Sequence, residues 1–587
     1  MNNTHDFHIP VMGIGFTIDT PYKVSRWGIN SVISLVDDML VEKLRAFYCQ
    51  ENNLEFKPIL RNDVNHRSER FKAYLNVIYK LSVDRFENLK QAMSQGKDEL
   101  RQYIGMLPER SALRADLIAK AATKPSVAEF RTFLDAKLQM GRIDTNIMTK
   151  LDKTNRKGGV DLPDEYNDAH AALKGFAECD AQAAIVLSAG MNPRLYAYLA
   201  NFADFKPNAE GQLRKEVILK VSDYRSALIQ GKFLAKKGIW VSEYRIESGL
   251  NCGGHAFATD GLLFGPILQE FKDKREALYN EVFSILEPAL LAEGLPAPKL
   301  AMRVTAQGGV GTHLEHNFIR EFYGMDAIGW GTPFLLASDV CNVDEHTQQR
   351  LIDAKEEDLY LSAISPLGVP FNSLRGNSKS LEWQARIDNG TPGSLCPKRY
   401  VTLHTVQDKP MCVSSSEYQK IKIDELEASD LNDAEKQKAY QRITDRDCIC
   451  VGLGTSALIV NNLDTKQEGP GVSICPGPNM AYYTQKTTLF GMMDHIYGRK
   501  SVLQTDRRPN LFVKELSLYM DYFFGPVTPG RFDTNLDAKK LEKTRKCMLE
   551  GIAYYKTLFA QFPEQFGSGM PAIEAYEQKL NPSKVLA

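Results

Sequence analysis

Apolar runs of strand length alternate with longer segments of helical periodicity from the start of the chain to about Phe334. The runs are Phe7 to Ile14, Ser31 to Val36, Asp144 to Thr149, Ala183 to Ser188, Glu216 to Val221, Ile239 to Ser248, Leu300 to Thr305 and Met325 to Gly329. Several end in glycine-rich turns, as at Gly13 and Gly15 or at Gly308 and Gly309, and a helical pattern follows most of them. Short apolar runs bounded by turn residues and joined by helices predict parallel strands with right-handed crossovers. Eight of them predict an α/β chain folded as a (β/α)8 TIM barrel, with a doubly wound open sheet as the alternative.

The alternation breaks twice. Between Asp38 and Met140 the apolar positions recur at helical spacing, as in Phe71, Tyr74, Leu75 and Ile78, and little reads as strand. This stretch predicts a large helical insertion after the second strand: a solvated decoration, a lid or an oligomer contact. Past Ser338 a charged amphipathic segment, Asp344 to Leu359, precedes a mostly helical region. Its aromatic stripes, such as Tyr519-Tyr522-Phe523 and Tyr554-Tyr555-Leu558-Phe559, predict core packing rather than cofactor contacts. The expected organisation is a barrel from residues 1–37 and 141–376, an insertion over 38–140, and a cysteine-containing C-terminal region over 377–587.

Composition narrows the function classes. The net charge of the 587-residue chain is −1, so no basic field argues for nucleic acid. With 43% hydrophobic and 25% charged residues it reads as an ordinary globular protein, and no apolar run approaches a bilayer span. Met1 to Asp6 show neither a basic nor an apolar leader segment, and ten cysteines in so long a chain do not form a secreted disulfide framework. The expectation is a cytoplasmic protein with reduced thiols.

The candidate chemistry lies at the ends of the last three strands. Gly308-Gly309 and Gly331-Thr332 each sit between a strand and a helical pattern. Paired glycines there expose backbone N–H groups next to a helix start, which suits a phosphate, and in a parallel barrel such a seat follows strands seven and eight. Ser248 to His255 ends the sixth strand, with Gly253 and Gly254 allowing close backbone approach to a planar ligand. His255 is then placed to move a proton at the same barrel end.

These motifs, in this order, resemble the nitronate monooxygenase (2-nitropropane dioxygenase) family of FMN-dependent barrels, which includes enoyl-reductase relatives. The resemblance rests on Gly253-Gly254-His255, Gly308-Gly309 and Gly331-Thr332-Pro333-Phe334, with support from Met12-Gly13, Asn146, Val217 to Val221, and Pro366-Leu367-Gly368 with Leu374-Arg375. It covers roughly residues 8–37 and 142–376. It implies His255 as catalytic base and FMN as cofactor. The FMN phosphate would sit on Gly308, Gly309, Gly331 and Thr332, beside Gly254, and the ring would be bordered by Met12, Gly13 and Asn146. Lys220 is expected either to offset charge on reduced flavin or to be a surface lysine. The implied activity is an FMN-dependent oxidoreductase on a small-molecule or acyl substrate, with O2 as acceptor or NAD(P)H as donor. The alternatives are an NAD(P)H-dependent enoyl reductase and a non-catalytic flavin- or metal-binding subunit; an oligomer is compatible with either. The chain departs from the family at Asn251, where an acidic residue is common, and at Pro333, where an arginine is common.

A second constellation is Cys396, Cys412, Cys448, Cys450 and Cys475. Turns beside them would let thiolates converge, so the expectation is one metal site, a [4Fe–4S] cluster before zinc, with scattered buried thiols as the competing reading.

Overall fold

In the computed structural model, which describes residues 4–96, 98–188, 190–504, 507–525 and 538–581, eight parallel strands close into a barrel. They are β1 (Phe7–Ile9), β2 (Asn30–Ser34), β3 (Ile143–Ile147), β4 (Ala183–Leu187), β5 (Lys215–Val221), β6 (Val241–Glu247), β7 (Arg303–Gln307) and β8 (Ile328–Gly329). Each strand pairs with the one before it, and β8 returns to β1 through Phe7 opposite Ile328. That last pairing excludes an open sheet. The expected (β/α)8 barrel is therefore the fold.

Inward positions recur every second residue along each strand, and they form layers. At the N-terminal ends the interior is charged rather than filled with branched aliphatics. Glu216 Oε2 accepts from Arg142 Nη1 at 2.7 Å and Arg303 Nη2 at 2.6 Å, and Glu243 Oε1 accepts from Arg245 Nη2 and Thr305 Oγ1, both at 2.7 Å. Burial opposes ionisation of Glu243, but Arg245 and Arg303 outweigh it and hold its carboxyl well below the ordinary range. A small apolar layer of Val32, Ala184, Val186 and Ile218, backed by Val11, lies above the charges. Two residues further along the same strands stand Ser34, Ser188 and Lys220, and beside them Asn146, Glu247 and Gln307. These six form the floor of a cavity at the C-terminal end of the barrel.

The chain between β2 and β3 is helical, as expected, but it is not a solvated appendage. After helix α1 (Asp38–Glu51), the long helix α2 (His66–Ser94) buries Phe71, Tyr74, Leu75 and Ile78, spaced at three and four residues so that they share a face. Gly175 lets α2 approach closely, since a Cβ there would come within 2.6 Å of the Ser68 carbonyl oxygen. Arg67 and Arg70 of α2 reach Asp38 at 2.7 and 2.8 Å. The neighbouring Asp37 accepts from Tyr400 Oη at 2.9 Å and pairs with the fully buried Lys398. One ionic knot thus joins the end of β2, the insertion and the C-terminal region.

Further along, α3 (Phe264–Ala292) follows the β6 loop, and α4 (His313–Tyr323) is capped by Thr312 and stopped at Gly324, as its sequence predicts. A two-stranded antiparallel hairpin, β9 (Leu359–Ser362) and β10 (Phe371–Leu374), comes next. The helices α5 (Ile449–Val460), α6 (Leu511–Phe524) and α7 (Ala538–Gln561) then fold back onto the barrel. Tyr519, Tyr555 and Phe559 are buried, so the aromatic stripes are core. Among the described residues no helix is long and apolar enough to cross a membrane.

Candidate active site

The cavity above the strand ends has a volume of about 410 Å³, within the range of small-molecule sites. All ten residues singled out for flavin chemistry line it: Met12, Gly13, Asn146, Lys220, Gly254, His255, Gly308, Gly309, Gly331 and Thr332.

The two glycine turns behave as their sequence suggests. Gly308 and Gly309 have φ values of +109° and +81°. A Cβ on Gly309 would stand 1.8 Å from Asn251 Nδ2, so both the backbone conformation and the space call for glycine. Among the described residues, nothing accepts a hydrogen bond from the amides of Gly308, Gly309, Val310, Gly331 or Thr332. Both polar side-chain atoms of Asn251, and Oδ1 of Asn146, are buried without a partner. Buried polar groups left unsatisfied are rare unless a ligand or water meets them. Free amides, orphaned amide side chains and the room between them fit the phosphate and ring of a flavin mononucleotide.

His255 sits on the loop after β6. Its backbone bridges to Phe371 of β10, Asn372 Nδ2 donates to the carbonyls of Cys252 and Gly254, and the Gly254 amide donates to the Cys475 carbonyl at 3.2 Å. His255 Nε2 lies 2.7 Å from Ser365 Oγ. Burial, then the charges of Lys150 and Lys220, push the imidazole down to about 4. It is therefore neutral near pH 7 and ready to take a proton, but its basicity is low for a general base. Lys220 is not a surface lysine. Its ammonium pairs with Glu247 at 3.3 Å, and Gln307 Nε2 donates to the same carboxylate at 2.8 Å.

Behind the His255 loop, Glu515 of α6 is buried among three groups. Ser248 Oγ lies 2.5 Å from Oε1, while the Phe264 amide, at the start of α3, and Tyr555 Oη donate to Oε2 at 2.8 and 3.4 Å. Burial pushes this carboxyl up to about 7. Glu515 thereby fixes both ends of the segment that carries His255.

The C-terminal region supplies much of the remaining wall. Val401, Leu403, Ile449, Leu453 and Ile474 give it an apolar side, and Asn479 lies near the glycine turn. Sequence reasoning assigned none of these to the site. It also missed Ser34, Ser188, Glu247 and Gln307 of the floor, which two-residue spacing along the strands would have found.

The five cysteines do not surround one metal position. Among the described residues no group of three or more His, Cys, Asp or Glu side chains is placed to hold a metal ion. Cys448 caps α5 and Cys450 lies in its first turn, with sulfurs 3.9 Å apart. Cys412 Sγ meets Ser414 Oγ at 3.1 Å, and the Arg399 amide donates to Cys396 Sγ at 3.3 Å. Cys475 lies on the cavity wall beside Gly253, and Cys450 lines the same cavity. Cys448 does contact both Cys396 and Cys450 through their sulfurs, but among the described residues the thiols are not arranged to hold a metal.

Neither a protein-family model nor a curated protein sequence matches the chain. Among solved structures it is similar to FabK from Thermotoga maritima, at 12% identity over 64% of this chain and 80% of that one, with a TM-score of 0.29. It is also similar to the enoyl reductase domain of MlnA from the macrolactin biosynthesis cluster of Bacillus amyloliquefaciens, at 12% identity over 64% and 85%, with a TM-score of 0.33. A third is nitroalkane oxidase from Streptomyces ansochromogenes, at 10% identity over 84% and 95%, with a TM-score of 0.34.

Proposed function

We propose that the cavity binds FMN and that the protein is an FMN-dependent oxidoreductase, resembling nitronate monooxygenase, in which His255 moves a proton at the substrate. One observation carries the reading: two glycine turns with unpaired amides, and Asn146 and Asn251 with buried polar atoms left unpaired, line a single cavity at the C-terminal end of a parallel barrel. That is where such barrels place their chemistry. The amides of Gly308, Gly309, Gly331 and Thr332 would hold the phosphate, and Met12, Gly13, Asn146 and Gly254 would border the ring. When bound, the flavin accepts or returns an electron pair. Lys220, tethered by Glu247, supplies positive charge beside the ring, and neutral His255 takes a proton from carbon or gives one back. Because its basicity is low, His255 suits a carbon made acidic by a neighbouring nitro or carbonyl group.

A second reading has a specific support. The wall of Val401, Leu403, Ile449, Leu453 and Ile474 suits an apolar chain, which favours an NAD(P)H-dependent reductase of acyl substrates over a small nitro compound. The test of the common core is cofactor identity. The full chain, purified and incubated with flavins, should retain one FMN per chain on release and mass analysis. FAD instead, or a protein that neither carries nor takes up FMN, refutes it. NAD(P)H oxidation with an enoyl thioester, set against O2 uptake with a nitronate, then separates the two readings.

A further inference from the structure

The glycine turn after β7 is held from outside the barrel. The Gly309 carbonyl accepts from Asn479 Nδ2 at 2.8 Å and from Arg508 Nη2 at 2.5 Å. Arg508 also donates from Nε to Asn479 Oδ1 at 3.2 Å and from Nη1 to Glu315 Oε1 at 2.8 Å. Glu315, in the first turn of α4, accepts in turn from the Gly311 amide at 2.8 Å. The Arg508 and Glu315 side chains are 4% and 5% exposed. The next carbonyl but one, that of Gly311, is held by Tyr483 Oη at 3.3 Å and His495 Nε2 at 3.0 Å. Two carbonyls of the turn are thus drawn toward the C-terminal region.

In a planar trans peptide the C=O and the following N–H point in opposite directions. Drawing the Gly309 carbonyl toward Arg508 therefore turns the Val310 N–H the other way, and Val310 lines the cavity. Glycine at 309 gives the backbone freedom to flip this peptide, so something must choose the orientation. Arg508 does not line the cavity; it acts through the peptide it grips.

We propose that Arg508 is a positioning residue for an anion seat: by clamping the Gly309 carbonyl together with Asn479, it presents the Gly309–Val310 peptide N–H to the phosphate of the bound flavin. The proposal rests on the FMN reading given above. Arg508 is suited to the task because its planar fork serves Gly309, Asn479 and Glu315 at once, which a lysine ammonium in the same place does not.

The test compares FMN with riboflavin, which lacks the phosphate, by fluorescence titration of the flavin-free full chain. Wild-type protein should bind FMN far more tightly than riboflavin. Arg508→Lys should weaken FMN roughly tenfold to a hundredfold, the scale on which groups that orient a binding group act, and leave riboflavin within about threefold. A double variant, Arg508→Met with Glu315→Gln, removes both buried charges together and keeps the test open if the lysine variant folds poorly. Equal weakening of both flavins, or an unchanged preference for FMN in a folded variant, overturns the proposal while leaving the FMN reading intact. Wild-type protein that binds neither flavin overturns both.

Discussion

Replacing Glu515 by glutamine should change how stability depends on pH. The folded protein holds this carboxyl at about 7 against an ordinary value of 4.5, chiefly through burial. A carboxyl raised on folding contributes stability that is fully present below 4.5 and is lost as pH rises through 7, because the unfolded chain releases its proton first. Moving it from 4.5 to about 7 corresponds to roughly 3 kcal/mol. Glutamine copies the protonated form: its amide nitrogen can donate to Ser248 Oγ while its oxygen accepts from the Phe264 amide and Tyr555. The variant should therefore lack the loss. Relative to wild type it should gain roughly 3 kcal/mol between pH 4.5 and 8, which for a chain of this length is about 3 °C in midpoint. Scanning calorimetry of both proteins at pH 4.5, 6 and 8 measures the difference. A difference that stays constant with pH, or shrinks as pH rises, refutes the assignment of a protonated Glu515.

Two further changes probe the site itself. His255→Ala should keep bound flavin and lose roughly two to four orders of magnitude in turnover, the usual contribution of a general base; near-full activity would remove His255 from the mechanism. Gly309→Ala should lower the thermal midpoint and the flavin content together, since alanine at φ +81° is strained by about 1–2 kcal/mol and its methyl runs into the Asn251 amide; a variant with wild-type flavin content shows that this turn does not seat the phosphate.

The barrel was legible because it is written locally. Strand-length apolar runs and the glycines after them predict each strand to within a few residues, and the ten residues proposed for the flavin site fall around one cavity because every one lies at or just beyond a strand end. What the sequence conceals is contact at a distance. Asn479 and Arg508 meet Gly309 across 170 and 199 residues, and no periodicity or motif near either announces it. The same holds for Leu453 and Ile474 on the cavity wall. The cysteines show a different limit: Cys396, Cys448 and Cys450 do meet in space, but among the described residues they are not arranged as metal ligands, and spacing along the chain does not reveal such geometry. Lys220 was ambiguous between surface and site until Glu247, one strand away, was seen to hold it.

The clamp on Gly309 also puts the binding site on a clock. All eight strands have been synthesised once residue 329 is added, yet the groups proposed to settle the glycine turn arrive only with Arg508. At about 5–20 residues per second, the 199 residues from Gly309 to Arg508 take roughly 10–40 s to synthesise. For most of that interval the nascent chain has all eight strands but lacks the residue proposed to fix its glycine turn. On the proposed FMN reading, flavin capture is a late event in the life of each chain, one that follows the folding of the C-terminal region instead of guiding the folding of the barrel.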